Sequence, residues 1–95
     1  MIQSFGDQAT ADIFNGQSTR VARRLFPQQL WRVAQLGQLD SADDLNDLRI
    51  PPGNRLEILR GDRVGQHSIR INDQYRTCFV WTEQGPDEVE IVDYH

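Results

Sequence analysis

The chain reads as a single α+β domain over residues 1–95, with an N-terminal strand and two main helices packed on a curved, mostly antiparallel sheet. Three observations predict this. Residues 51–81, PPGNRLEILRGDRVGQHSIRINDQYRTCFVW, divide into three apolar–polar alternating runs separated by turn residues. Residues 1–50 instead place apolar side chains at helical i, i+4 spacing. Ninety-five residues, 38% of them apolar and including two Trp, four Phe and two Tyr, suffice for one core and not for two.

Ile2–Phe5 reads as a short opening strand. Asp7 can cap a helix through about Asn15, with Ala9 and Ile13 on one side and Gly16 as its stop. Ser18–Phe26 carries Arg20, Arg23 and Arg24 beside Val21 and Leu25, either a solvated basic face or an RNA-contacting patch. Phe26 is extended before Pro27, which suits the first turn of a helix running to about Leu39. Leu30, Val33, Leu36 and Gly37 form its inward stripe, with Gly37 marking a close approach to a neighbouring element. Ser41–Asp44 imitates a capping box that starts a short helical turn through Asp47. Ile50-Pro51-Pro52-Gly53 then forces an irregular connection.

Three strands follow: Leu56–Arg60, His67–Asn72 and Tyr75–Trp81. His67, Ile69 and Ile71 share one side of the second strand, and Ser68 and Arg70 share the other. In the third, Tyr75, Thr77, Phe79 and Trp81 oppose Arg76, Cys78 and Val80. Glu83–Asp87 is expected to turn at Gly85-Pro86, and Glu88–His95 to close the chain as a strand. The pattern fits either a meander with its arginines in solvent or a curved sheet presenting arginines to an anion.

The net charge of −4 argues against a protein that simply coats nucleic acid. Its distribution is uneven. Residues 51–80 balance to +2, residues 81–95 to −5 and residues 1–50 to −1. The ten cationic side chains are all arginines, which reflects phosphate recognition or simply genomic base composition. The single cysteine, Cys78, reads as a small buried hydrophobe. With MIQSF unlike a secretory signal and no apolar run near ~18 residues, a reducing cytoplasm is the expected compartment. P-loop, zincin and zinc-ribbon motifs are absent, and His67 and His95 lie on separate strands, so no cofactor and no metal site is expected.

LEILRGDRVGQHSIRINDQYRTCFVW, with a final EIVDYH, resembles the HigB-type toxins of the RelE/ParE superfamily, especially the GraT-like variant that carries PPGNRLE before the strands. The likeness is close over residues 48–95 and looser over residues 1–47. It implies a RelE/ParE-like fold whose sheet cups an active site against the helices. It also implies a toxin of a bacterial type II toxin-antitoxin system, neutralised by a helix-turn-helix (HigA/GraA-like) antitoxin. The activity implied is that of a metal-independent endoribonuclease cutting messenger RNA at the ribosome, which would inhibit translation and growth. DNA would be met only through the antitoxin, and no membrane is implied. The alternative is a non-catalytic binder, either poisoning gyrase or acting mainly through its antitoxin complex.

Cleavage beside a 2′-hydroxyl needs a base, positive charge at the phosphorane and an acid for the leaving oxygen. Arg76 and Arg60 can supply fixed charge with bidentate geometry. His95 is a natural proton carrier, helped by Asp93, and Tyr94 offers a ring to a splayed base. Arg70 and Arg63 complete the expected RNA surface. By resemblance, Arg76 matches the family's arginine after the hairpin turn, Arg60 a frequent lysine, and Asp93-Tyr94-His95 the terminal D-Y-H. Glu57 departs, standing near a position where better-studied members have histidine. It can act as a base, or it is a surface glutamate paired to an arginine. Weak toxicity is the expectation that follows.

Overall fold

Among the described residues of the computed structural model (1–15, 35–50, 52–71 and 74–93), four strands lie side by side in chain order, each antiparallel to the next. They are β1 (Glu57–Ile58), β2 (His67–Arg70), β3 (Tyr75–Thr82) and β4 (Gly85–Asp93). The register pairs His67 with Phe79, Ile69 with Thr77, and Thr77 with Ile91. Those side chains therefore share one face, and Ser68, Arg70, Arg76, Cys78 and Glu90 share the other.

The first face is the dry one. Ile69, Tyr75, Phe79, Val89 and Ile91 join Ala9 of helix α1 (Gln8–Phe14), Leu36 and Leu39 of helix α2 (Gln35–Ser41), Ala42 and Leu48 in one core. Asp7 caps α1 as expected, its carboxylate accepting from the Thr10 amide at 2.9 Å. Leu36 is buried and Leu39 fully so, three residues apart on one side of α2. Gly37 does not belong to that stripe. It is exposed, and a Cβ there would meet nothing within 4 Å, so it marks no close approach. Leu30, Val33 and the Arg20–Arg24 segment lie outside the described residues.

Several boundaries differ from expectation. Ser41 is the last residue of α2, so its backbone cannot serve as an N-cap; extended Asp44 does so instead, in a reciprocal cap with Asp47 that opens a 3-10 helix over Leu45–Arg49. β1 has two residues rather than five. Arg55 before it takes φ +47, which a strand cannot accommodate, and Gly61–Arg63 after it forms a 3-10 turn. Ordered pairing of β2 stops at Arg70, with the Ile71 amide still donating to the Tyr75 carbonyl at 3.0 Å.

β4 starts earlier than expected, at Gly85, so the hairpin turn is Glu83–Gln84 alone. Gly85 sits at φ +126, and a Cβ there would lie 2.4 Å from the Met1 carbonyl oxygen, which no other residue could accept. Between Cys78 and Val80 the register slips by one residue, as in a β-bulge, and Glu88 takes φ +52.

The outer edge of β4 is covered rather than open. The N-terminal segment runs parallel to it through one bridge, Phe5 to Val89, with the Val89 amide donating to the Ser4 carbonyl at 3.0 Å. Further along, the Ile91 amide donates to the Thr10 hydroxyl of α1 at 3.0 Å. This satisfies edge groups that would otherwise invite another chain.

Candidate active site

The second face of the sheet buries polar groups. Ser68 and Cys78 are fully buried and Arg76 is 8% exposed, and none of the three joins the apolar cluster on the helix side of the sheet. Strand alternation brings them together: Ser68 lies opposite Cys78, and Arg70 opposite Arg76.

Arg76 is held from several directions. Its Nε donates to the Ser68 hydroxyl at 2.8 Å, and its Nη2 donates to the Arg55 carbonyl at 2.7 Å and, more weakly, to the Ser68 carbonyl at 3.5 Å. Nη1 faces Glu57 on β1, whose carboxylate is 3.8 Å away, beyond hydrogen-bond length but within reach of a direct charge interaction. The Glu57 side chain is 53% exposed, against 10% for that of Arg76. Arg55 reaches its partner through strain: a non-glycine residue at φ +47 turns its carbonyl toward the guanidinium.

Toward the other end of the face, Arg63 donates to Glu90 at 2.9 Å and to Gln66 at 3.1 Å. Burial pushes the Cys78 thiol above its ordinary pKa. Arg63 opposes that shift, Glu90 reinforces it and Arg76 opposes it again. The thiol is therefore a protonated, inert occupant of the face.

Of the residues singled out in the sequence, Arg76, Glu57 and Arg70 converge here. Arg63 shares the face but is engaged by Glu90. Arg60 is exposed at the entry to the Gly61–Arg63 turn. Asp93 pairs with Tyr75, which sets it on the opposite pleat from Arg76, and its exposed carboxylate accepts from Gln74 at 3.2 Å. Tyr94 and His95 lie outside the described residues. Sequence reasoning missed Ser68 and the Arg55 carbonyl. Ser68 had a signal, a small hydroxyl on the same side of its strand as Arg70. A backbone carbonyl in a left-handed turn has none.

On the opposite face His67 lies 6.2 Å from Phe79, nearly parallel to it, and burial, followed by the charge of Arg49, lowers its pKa.

A family model described as a RelE-like toxin of the type II toxin-antitoxin system HigB matches residues 3–95. The chain belongs to the HigB-like toxin family. It is 47% identical over 62 residues to Toxin HigB-1 of Vibrio cholerae, a match spanning 63% of this chain and 65% of that protein. It is 38% identical over 56 residues to a protein of Haemophilus influenzae, spanning 57% of this chain and 55% of the other. The chain thus spans less than two thirds of either relative. The observed α+β fold, with its antiparallel sheet, is the one expected of a HigB-like toxin. No helix among the described residues is long and apolar enough to cross a membrane.

Proposed function

We propose that this HigB-like chain is the toxin of a type II toxin-antitoxin pair and acts as a ribosome-dependent endoribonuclease in the cytoplasm, held silent by a helix-turn-helix antitoxin. The observation that carries the reading is Arg76, buried on a sheet face with its Nη1 turned toward the half-exposed Glu57. In this reading the 2′-hydroxyl of the cut nucleotide attacks the adjacent phosphorus, giving a 2′,3′-cyclic phosphate and a free 5′-hydroxyl. Glu57 takes the proton from the attacking hydroxyl. Arg76 meets the charge that builds on the non-bridging oxygens, already in place and partly desolvated, where such charge acts most strongly. His95 returns a proton to the leaving oxygen, while Asp93, on the opposite pleat from Arg76, takes no part. Arg70, Arg60 and Arg63 line the path of the RNA backbone, and Tyr94 stacks on a base.

Mapping new 5′ ends on translated messages after induction tests this directly. The expected result is a set of ends that appear only on messages being translated. Cleavage by a His95→Ala protein should fall by about 100- to 10,000-fold if His95 transfers the proton. Growth arrest without any new ends would remove the ribonuclease reading. One observation favours a second reading, a non-catalytic binder: only 10% of the Arg76 side chain meets solvent, as suits a brace. Under that reading Arg76 variants would lose activity only in proportion to lost fold.

A further inference from the structure

We propose that the open edge of β1 is the docking surface for an extended, acidic segment of the antitoxin, which adds to the sheet beside Ile58. It rests on the toxin-antitoxin part of the proposed function and on no step of RNA cleavage. The two edges of the sheet differ. That of β4 is covered by the N-terminal segment through the Phe5–Val89 bridge. β1 ends the sheet on the other side, and among the described residues no further strand pairs with it.

The register fixes what β1 offers. The Leu59 amide donates to the Gln66 carbonyl at 2.9 Å, which makes Leu59 and Gln66 a hydrogen-bonded pair. Antiparallel pairs alternate, so Ile58 and His67, one step along, form a non-hydrogen-bonded pair. The Ile58 N–H and C=O therefore both point away from β2, toward the open edge. Its side chain is 72% exposed, and Ile50 and Val64, which precede and follow β1 in the chain, are as exposed at 72% and 78%. An added strand uses these two features together: main-chain bonds hold it and apolar side chains select it.

Charge decides the kind of occupant. Arg49, Arg55 and Arg60 are exposed, and among the described residues no carboxylate pairs with any of them. Arg49 lies near enough to lower the pKa of His67, the cross-strand partner of Ile58. Residues 49–60 thus hold three arginines against one glutamate, a balance of +2. An acidic segment is drawn to such an edge, whereas a second copy of this chain would set like charge against like. RNA phosphates would answer the arginines but leave Ile50, Ile58 and Val64 uncovered.

Two measurements test the proposal, with the antitoxin encoded beside the toxin as the probe. The first is hydrogen exchange at the Ile58 amide. In the free toxin this amide should exchange quickly, and in the complex about tenfold more slowly or beyond. A tight complex that leaves Ile58 unprotected would overturn the docking and spare the toxin-antitoxin reading. An antitoxin that does not bind the toxin at all would sink both. Protection present in the free toxin and lost on dilution would assign the edge to a second copy. Protection by polyuridine and not by the antitoxin would assign it to RNA. Either result overturns the proposal.

The second is the affinity of variants for the same antitoxin. Ile58→Pro removes the outward N–H and no bond to β2, because proline is accepted on an edge strand where its nitrogen faces solvent. It should melt near the native protein and bind about tenfold more weakly. Should it fail to fold, Ile58→Asp keeps the backbone and sets a like charge against the acidic segment, with a similar loss expected. Arg49→Gln and Arg60→Gln should each weaken binding by about twofold to fivefold, and by less as salt rises. Folded Ile58 variants that bind as tightly as the native protein would remove the edge as the docking surface, and unchanged affinity in both arginine variants would remove the acidic occupant.

Discussion

The two faces of the sheet bury their side chains by opposite means. On the helix side, Phe79, Ile69, Val89, Leu39 and Leu48 are fully buried, held by shape and by loss of contact with water. On the other side, Ser68 and Arg76 are also buried but polar, and Arg76 is held by directed hydrogen bonds. A packed apolar face tolerates an altered neighbour with graded loss. A buried polar face does not, because removing one partner leaves the other unsatisfied in a low-dielectric setting. The first face should therefore govern stability alone, and the second should couple stability to function.

The largest loss of stability should come from the dry face. Leu39→Ala should cost about 2–5 kcal/mol, with Leu36→Ala in the same range, because each truncation opens a cavity against the sheet. Thermal melts measure the loss. Cleavage per folded molecule should be unchanged, and an activity loss beyond the unfolded fraction would blur the division between faces.

Arg76→Ala follows. Its side chain is buried and bonded to Ser68 and to the Arg55 carbonyl, so its loss touches the fold as well as the site. The variant should lose about 1–3 kcal/mol, the cost of orphaning a buried hydroxyl and carbonyl. It should lose in addition about 100-fold or more in cleavage, measured on the folded fraction. A folded Arg76→Ala protein that still cuts translated messages would end the catalytic role assigned to this face.

The contrast between faces also marks what was legible in the sequence. Alternation along 67–81 placed Ile69 and Phe79 on one side and Ser68, Arg70 and Arg76 on the other, and the register bears this out. Asp7 was legible as a cap because its chemistry is local. What escaped depends on contacts distant in the chain. The Ser68 hydroxyl matters only because β3 brings Arg76 beside it. The early start of β4 at Gly85 goes with its pairing to Thr82 of β3 and with the N-terminal Met1 packed against Gly85. Leu39, taken as the end of its helix, proves fully buried because the helix runs on to Ser41.

Arg63→Ala should matter less. Its ion pair with Glu90 is partly exposed, with side-chain exposures of 37% and 27%, so solvent screens it and the loss should be about 1 kcal/mol or less. Salt titration of the melting temperature, with native protein and variant converging as ionic strength rises, checks this. A larger loss would mean that Arg63 and Arg76 brace the fold alike.

The smallest expected effect lies on the dry face, at the ring of His67. Burial, and then the charge of Arg49, hold His67 below the ordinary histidine value of about 6.5. The folded state thus resists protonation that the unfolded state accepts. Stability from the neutral ring is present above about pH 6.5 and declines as pH falls toward the depressed folded value. His67 stacks on Phe79 and is only partly buried, so the decline should be modest. Its signature is a melting temperature that falls more steeply on acidification in the native protein than in His67→Gln, which cannot take up the proton. Arg49→Ala should reduce the same slope by removing the nearby positive charge. Equal slopes in native protein and His67→Gln would place the acid sensitivity elsewhere, and the dry face would then be held by packing alone.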